Sequence, residues 1–385
     1  MTVENRLLAL LRTGICGTPL AGVSDEPLST EGLIALYRLS KYHDLAHIVG
    51  TVLDENRLLP AEGEVTSAFQ KQMMTAVYRS GQMQGALTDI CSVLEQAKIP
   101  FVPLKGAVIR DYYPAPWMRT SCDVDVLVHE ENLEDAIAAL ERIGYRVKGP
   151  RNYHDLSLFS ATGVHLELHF HIRENMESID RLLGRVWEYA APIAPDAYQH
   201  CLTNEYFMFH MLAHMAYHFM SGGCGIRPVI DLWIWKNKVG YDADVLKEMC
   251  RECELELFFE EAMRLCAVWF DREEGDLLTE QMQAFILRGG VYGSTDNKVT
   301  VQHNKSGGRA RYILSRIFAP YEMLKYYYPS LQKHKWLLPI CQVRRWLRLI
   351  WKKSFKRSAI EVSVGQTVSR DRAEATALLL ERLGL

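Results

Sequence analysis

The sequence predicts an α+β chain, with a small mixed β-sheet core set between helical N-terminal and C-terminal regions. Three observations lead there. Residues 1–97 and 174–288 repeat apolar residues at helical spacing with few breakers. Residues 98–173 instead hold short apolar runs closed by glycine, proline or polar turns. Two of those runs carry acids in their interior, where a buried charge needs a partner.

Taken in order, Met1 to Cys16 reads as an amphipathic helix, with Glu4 and Arg6 ahead of Leu7, Leu8, Leu10 and Leu11. It lacks the basic start and unbroken apolar stretch of a signal peptide. Ser29-Thr30-Glu31 is a helix start before Leu33, Ile34, Leu36 and Tyr37. Glu64 to Gln96 has no proline and predicts one long helix or two. The core domain, 98–173, opens with the apolar run Ile99 to Leu104, a buried strand closed by the turn at Lys105-Gly106. A short helix follows from Ala107 to Tyr113, then a second strand from Val124 to Val128. Glu130 to Ile143 places Leu133, Ile137, Leu140 and Ile143 on one helical face, and Gly144 ends it. Tyr145–Val147, Leu156–Phe159 and Val164–Phe170 complete the sheet, with Thr162-Gly163 as a hairpin turn. Residues 174–288 form a helical domain, 289–308 a polar glycine-rich loop long enough for a lid, and 309–385 a basic C-terminal helical region with a last helix from Arg370.

At 385 residues, 48% apolar and 24% charged, the chain has room for two or three domains, and its composition excludes wholesale disorder. It has no apolar run of about 18 residues, so no transmembrane span is expected. Nine scattered cysteines suit a reducing, cytoplasmic setting. The net charge of −3 hides an asymmetry: Lys305 to Arg357 holds fourteen basic residues and one acid, Glu322, leaving −16 for the remainder. A basic segment on an acidic body points to an anionic partner or to a cover over an acidic site.

The chemistry concentrates in Arg119-Thr-Ser-Cys-Asp123-Val-Asp125-Val-Leu-Val128 and Val164-His-Leu-Glu167-Leu-His169. Strand side chains alternate faces, so Asp123 and Asp125 point the same way. If a neighbouring strand aims Glu167 at that face, three carboxylates meet, and mutual repulsion then demands a cation. Hard oxygen donors of this kind suit Mg²⁺, which completes its shell with waters and phosphates. The expected partner is a nucleoside triphosphate.

Strand, Lys-Gly turn, short helix, Asp-x-Asp strand, helix, and a later strand with a third acid is an order of parts that resembles the polymerase-β type of nucleotidyltransferase superfamily. More narrowly, the chain resembles a family of largely uncharacterised bacterial nucleotidyltransferases. The residues that carry the narrower likeness are Leu104-Lys105-Gly106, Arg119-x3-Asp123-Val-Asp125-Val-Leu-Val and Leu166-Glu167-Leu-His169. To these are added His210-x3-His214 leading to Gly225-Ile-Arg227-x3-Asp231, and Tyr328-Pro329 with Trp336-Leu-Leu-Pro339. The likeness implies that Asp123 and Asp125 bind the Mg²⁺ of the triphosphate, and that Asp125 and Glu167 hold a second ion or act as base. It implies transfer of a nucleoside monophosphate to an acceptor (a small molecule, a peptide or protein, or RNA) with release of pyrophosphate. In the superfamily the turn is usually Gly-Ser or Gly-Gly; here Lys105-Gly106-Ala107 lacks the hydroxyl, and Lys105 brings charge in its place. Gly106 allows backbone to approach phosphate, and Lys105 and Arg119 are candidates to neutralise it.

Other groups carry two readings each. His165, His169 and His171 alternate along one strand and are expected on one face, opposite Glu167; His169 either orients an acid or joins a zinc site. His210, His214 and His218 line one helical face, either packed on the sheet or touching nucleotide or acceptor. Arg227 and Asp231, four apart, form a helix ion pair, or Arg227 faces the cleft. Cys250-x2-Cys253 lacks the second pair that a zinc site needs. In the basic segment, Val343, Trp346, Leu347 and Ile350 fall on one helical face and Arg344, Arg348 and Lys352 on another. Such a helix packs on a core, grips RNA or lies on an anionic membrane. A nucleotide-binding module without turnover is the rival to an enzyme.

Overall fold

The computed structural model describes residues 1–20 and 28–291, then 293, 297, 318–319, 321, 324, 328, 330–351 and 370–385. The chain divides into two compact units: residues 1–217 with 226–283 and Gly384, and residues 218–225 with 284–383 and Leu385.

The first unit begins with four helices: α1 (Val3–Cys16), α2 (Thr30–Tyr42), α3 (Ala46–Glu55) and α4 (Glu64–Gln96). Thr2 caps α1 by accepting from Asn5 N at 3.2 Å, and Ser29 caps α2 by accepting from Gly32 N at 3.1 Å. Gly14 lets α1 cross α3 closely, since a Cβ there would lie 2.9 Å from Ile48 Cγ2 and Val52 Cγ2. α4 is a single helix of 33 residues.

A five-stranded sheet follows, in the order β1 (Phe101–Pro103), β2 (Asp123–Val128), β5 (His165–His169), β4 (Asp155–Phe159), β3 (Arg146–Val147). The central β2–β5 pair is parallel and the others antiparallel, so the sheet is mixed. α5 (Gly106–Ile109) lies between β1 and β2, and α6 (Leu133–Arg142) between β2 and β3. Val124, Val126, Val128, Leu166 and Leu168 bury themselves with Met83, Leu87, Ile90 and Leu94 of α4 and with Leu133, Ala136 and Leu140 of α6. That apolar layer clads one face of the sheet, and the alternate residues of β2 and β5 point to the other.

The reading of 174–288 as wholly helical is corrected at one place. Ala190–Pro192 (β6) and His200–Leu202 (β7) pair antiparallel, and Phe101 N donates to Tyr198 O at 3.0 Å beside them. Their apolar residues are too few to show a period, which hid them. Around them run α7 (Glu177–Leu183), α8 (Asn204–Ser221), α9 (Arg227–Ile234), α10 (Ala243–Glu252), α11 (Glu256–Cys266) and α12 (Leu277–Gly289). None of the nine cysteines is in a disulfide, Cys250 and Cys253 included.

In the second unit, Ala319, Leu324, Leu331 and Cys341 form a small core with α13 (Ser330–Lys333) and α14 (Leu338–Trp351); α15 (Arg370–Arg382) closes the chain. The packed side of α14 differs from the expected one. Cys341 and Gln342 are buried and Trp346 lies against Phe318, whereas Val343 and Leu347 are exposed. Of the two apolar stripes of this helix, the one through Cys341 meets the core. Most of the glycine-rich stretch 289–308, with Pro329 and Lys352, lies outside the described residues. No described helix is long and apolar enough to cross a membrane.

Candidate functional site

The parallel pairing of β2 and β5 sets Asp123 beside His165, Asp125 beside Glu167 and Leu127 beside His169. All five of the polar residues therefore share the face turned away from the apolar layer. This corrects the expectation that Glu167 faces away from the histidines: residues 165, 167 and 169 are two apart, and a strand repeats every two. Ligating atoms of Asp123, His165 and Glu167 lie within 4.8 Å of one another, and so do those of Asp125, Glu167 and His169. Glu167 is common to both groups. A third group of this spacing, His154, Asp155 and His169, continues the face into β4.

Asp125 is the most enclosed acid. Its Oδ1 lies 2.9 Å from His169 Nε2 and 3.4 Å from Lys105 Nζ. Burial alone would raise its pKa, but Lys105 and His169 outweigh that and hold it far below the carboxylate range. Asp123 moves up, through burial first and the charge of Asp125 next. Glu167 moves up for the same reasons, with Asp123 adding to Asp125. Two acids raised by a third is the signature of like charges sharing one site. Burial pulls Lys105 down, but Asp125, Glu174, Glu167 and Asp123 together raise it.

Lys105 reaches this position on unusual backbone, at φ 44° and ψ −118°. The strained residue of the turn is the lysine rather than Gly106. A Cβ on Gly106 would meet Ser121 Cβ at 3.5 Å, an ordinary contact, so no neighbouring protein atom demands glycine there. Leu104 N donates to Asp125 O at 3.0 Å and ties the turn to β2. Arg110, almost wholly buried, is a second tie that sequence reading missed. Its Nε donates to Gly106 O at 2.7 Å and its Nη2 to Ser121 Oγ at 3.0 Å, while Ser121 Oγ donates to Asp123 O at 3.0 Å. The one available signal was its place four residues after Gly106 in an apolar segment.

From α8, His210 and His214 stand in the electrostatic field of Lys105 and Asp125. His214 Nδ1 lies 2.7 Å from Glu174 Oε1. Glu174 is also new: although burial would raise it, His214 and Lys105 hold it down to about 2. His210 is 1% exposed, and neither ring nitrogen has a hydrogen-bond partner. Burial, then Lys105, push its pKa down to about 3, so the ring is neutral at physiological pH. A buried imidazole with neither nitrogen paired is costly, and it sets His210 apart from His214, which pairs with Glu174.

The structure gives Arg119 and Arg227 partners of their own. Arg119 grips Asp231 in a fork, Nε to Oδ1 at 2.9 Å and Nη2 to Oδ2 at 2.9 Å, and Tyr113 OH donates to the same carboxylate at 2.6 Å. Arg227 Nη2 donates to Asp44 Oδ2 at 2.5 Å and to Thr120 Oγ1 at 3.1 Å. The expected Arg227–Asp231 helix pair is thereby corrected, because both side chains of α9 turn outward to longer-range partners. Together they hold residues 119–120, the approach to Asp123. Arg119 still draws Asp123 downward through its field.

By the chemistry of their donors, two overlapping groups could hold a divalent cation, Asp123 with His165 and Glu167, and Asp125 with Glu167 and His169. The arrangement offers oxygen and nitrogen donors to a cation, and carboxylates that can receive a proton. No curated protein matches the chain. A family described as uncharacterised nucleotidyltransferase has a model that matches residues 32–271, more than half of the 385.

Proposed function

The chain belongs to this nucleotidyltransferase family, and on that premise we propose that it uses Mg²⁺ to move a nucleoside monophosphate from a nucleoside triphosphate to an acceptor. The observation that carries the reading is that Asp123, Asp125 and Glu167 share one sheet face, Glu167 grouping both with Asp123 and His165 and with Asp125 and His169, beside Lys105. Mg²⁺ held by these acids supplies charge neutralisation to the triphosphate and to the leaving pyrophosphate. Lys105 meets phosphate oxygens, and Arg110 and Leu104 keep its turn against β2. His169 orients Asp125. His210 and His214 meet the nucleotide or the acceptor, and Arg119 and Arg227 position the segment before Asp123. In the reaction the acceptor oxygen forms a bond to the α-phosphorus, and the bond from that phosphorus to the bridging oxygen breaks. Pyrophosphate departs with the electron pair. Glu167, at 29% the more exposed of the paired acids, takes the acceptor proton. Nine cysteines with no disulfide among them suit a reducing compartment such as the cytoplasm.

The rival, a nucleotide-binding module without turnover, draws on the Lys105–Asp125 contact, which fills part of the cation's place. The two separate by measuring Mg²⁺·NTP binding by calorimetry and pyrophosphate release over sugars, peptides and RNA as acceptors. Turnover is expected in the wild type and loss of it in Asp125→Ala. Release that persists unchanged in Asp125→Ala refutes the assignment; binding without release selects the rival.

A further inference from the structure

α14 has two apolar stripes, and the small core of the second unit occupies one. On the inner side Cys341 is buried with Leu331 and Leu324, and Gln342 Nε2 donates to Ala319 O at 2.6 Å. On the outer side Ile340 is 57% exposed, Val343 48% and Leu347 59%, and Trp336, in the 3-10 turn Lys335–Leu337 that leads into the helix, is 71% exposed. Ile340, Val343 and Leu347 are spaced by three and four residues, which aligns them on one helical face. Residues 330–351 carry five basic side chains and no acid. Lys333, Lys335 and Arg344 are exposed among them.

Charge and apolar surface together select the partner. A nucleic-acid backbone rewards the cations but gains nothing from Ile340, Val343 and Leu347. A bilayer with acidic headgroups rewards both: cations at the phosphates, aliphatic and indole groups at the boundary with the acyl chains. From Leu338 to Trp351 the helix is about 21 Å long at helical rise, far short of a bilayer core of roughly 30 Å, so it lies flat. We propose that α14 and the turn before it dock this protein on anionic phospholipid, with Trp336 of the turn and Ile340, Val343 and Leu347 of the helix entering the interface. The proposal is independent of turnover at the acid cluster.

The test is flotation of the full-length protein with vesicles of phosphatidylcholine alone and with an equal mixture of phosphatidylcholine and phosphatidylglycerol. Binding is expected to the mixture and not to phosphatidylcholine alone. The double variant Ile340→Asn/Leu347→Asn should weaken it by roughly tenfold or more, and Arg344→Ser by about fivefold. A blue shift of indole emission on binding should shrink in Trp336→Phe. These side chains are exposed, so unchanged melting of each variant is expected and guards the comparison. No binding to the mixture at low salt overturns the proposal. Two other results overturn it too: binding that ignores the Asn pair while RNA is bound as tightly, and a wild-type dimer that the Asn pair makes monomeric.

Discussion

The two faces of the five-stranded sheet are made by the same strands and do opposite work. One face buries Val124, Val126, Val128, Leu166 and Leu168 against two helices. The other gathers Asp123, Asp125, His165, Glu167 and His169. The first face stabilises the fold by removing apolar surface from water. The second crowds like charges: burial and Asp125 raise Asp123 and Glu167, while Lys105 and His169 hold Asp125 down. A strand of six residues such as β2 therefore serves stability and chemistry at alternate positions, and substitutions at neighbouring residues should have unlike consequences.

The sharpest way to break that comparison is to substitute Glu167 and Leu168, adjacent on β5. Glu167→Ala should lower kcat/KM about a thousandfold, with the metal-free melting temperature unchanged or higher. Leu168→Ala should cost about 2–5 kcal/mol of stability, with turnover per folded molecule retained. Denaturant melts and pyrophosphate assays on both variants check the pair; equal effects on both readouts would erase the distinction between faces.

Next in size is Glu174, beneath α8. Its pKa falls from 4.5 in the unfolded chain to about 2 in the fold. The unfolded state then binds more protons between those values, so the stabilisation is complete above pH 4.5 and drains away as pH falls toward 2. Glu174→Gln should lose on the order of 3 kcal/mol at pH 7 and converge with wild type at the acid end of a pH series of melts.

The smallest effect is expected at Asp123, whose ionised form is opposed by burial and by Asp125. Its folded pKa lies above the ordinary value, so stability of the ion-free protein decreases as pH rises through that interval. Asp123→Asn should raise the melting temperature of the ion-free protein at neutral pH. The variant should also lose most of the further rise that Mg²⁺ gives the wild type. A thermal shift with and without chelator reads both.

Much of this was legible in the chain. The strand pair with its three acids, the Lys-Gly turn and the long helix before it followed from period and turn residues. The face of Glu167 was also fixed by period, and was misread relative to His165 and His169. Tertiary partnerships were not legible. Arg119 meets Asp231 across 112 residues and Arg227 meets Asp44 across 183, distances over which no local pattern speaks. Glu174 has no motif around it, and its partner His214 lies on α8. The β6–β7 pair escaped because three-residue strands are too short to show alternation.

The parallel alignment of β2 with β5 has a consequence for how relatives of this chain can vary in length. The stretch between the two strands can gain or lose residues without moving Asp125 from beside Glu167, because each strand is anchored by its own oily side. A single-residue deletion inside Asp123–Val128 would turn the carboxylates into the greasy layer and the valines toward solvent. Indels should thus be tolerated along the connecting loops and purged from these few positions.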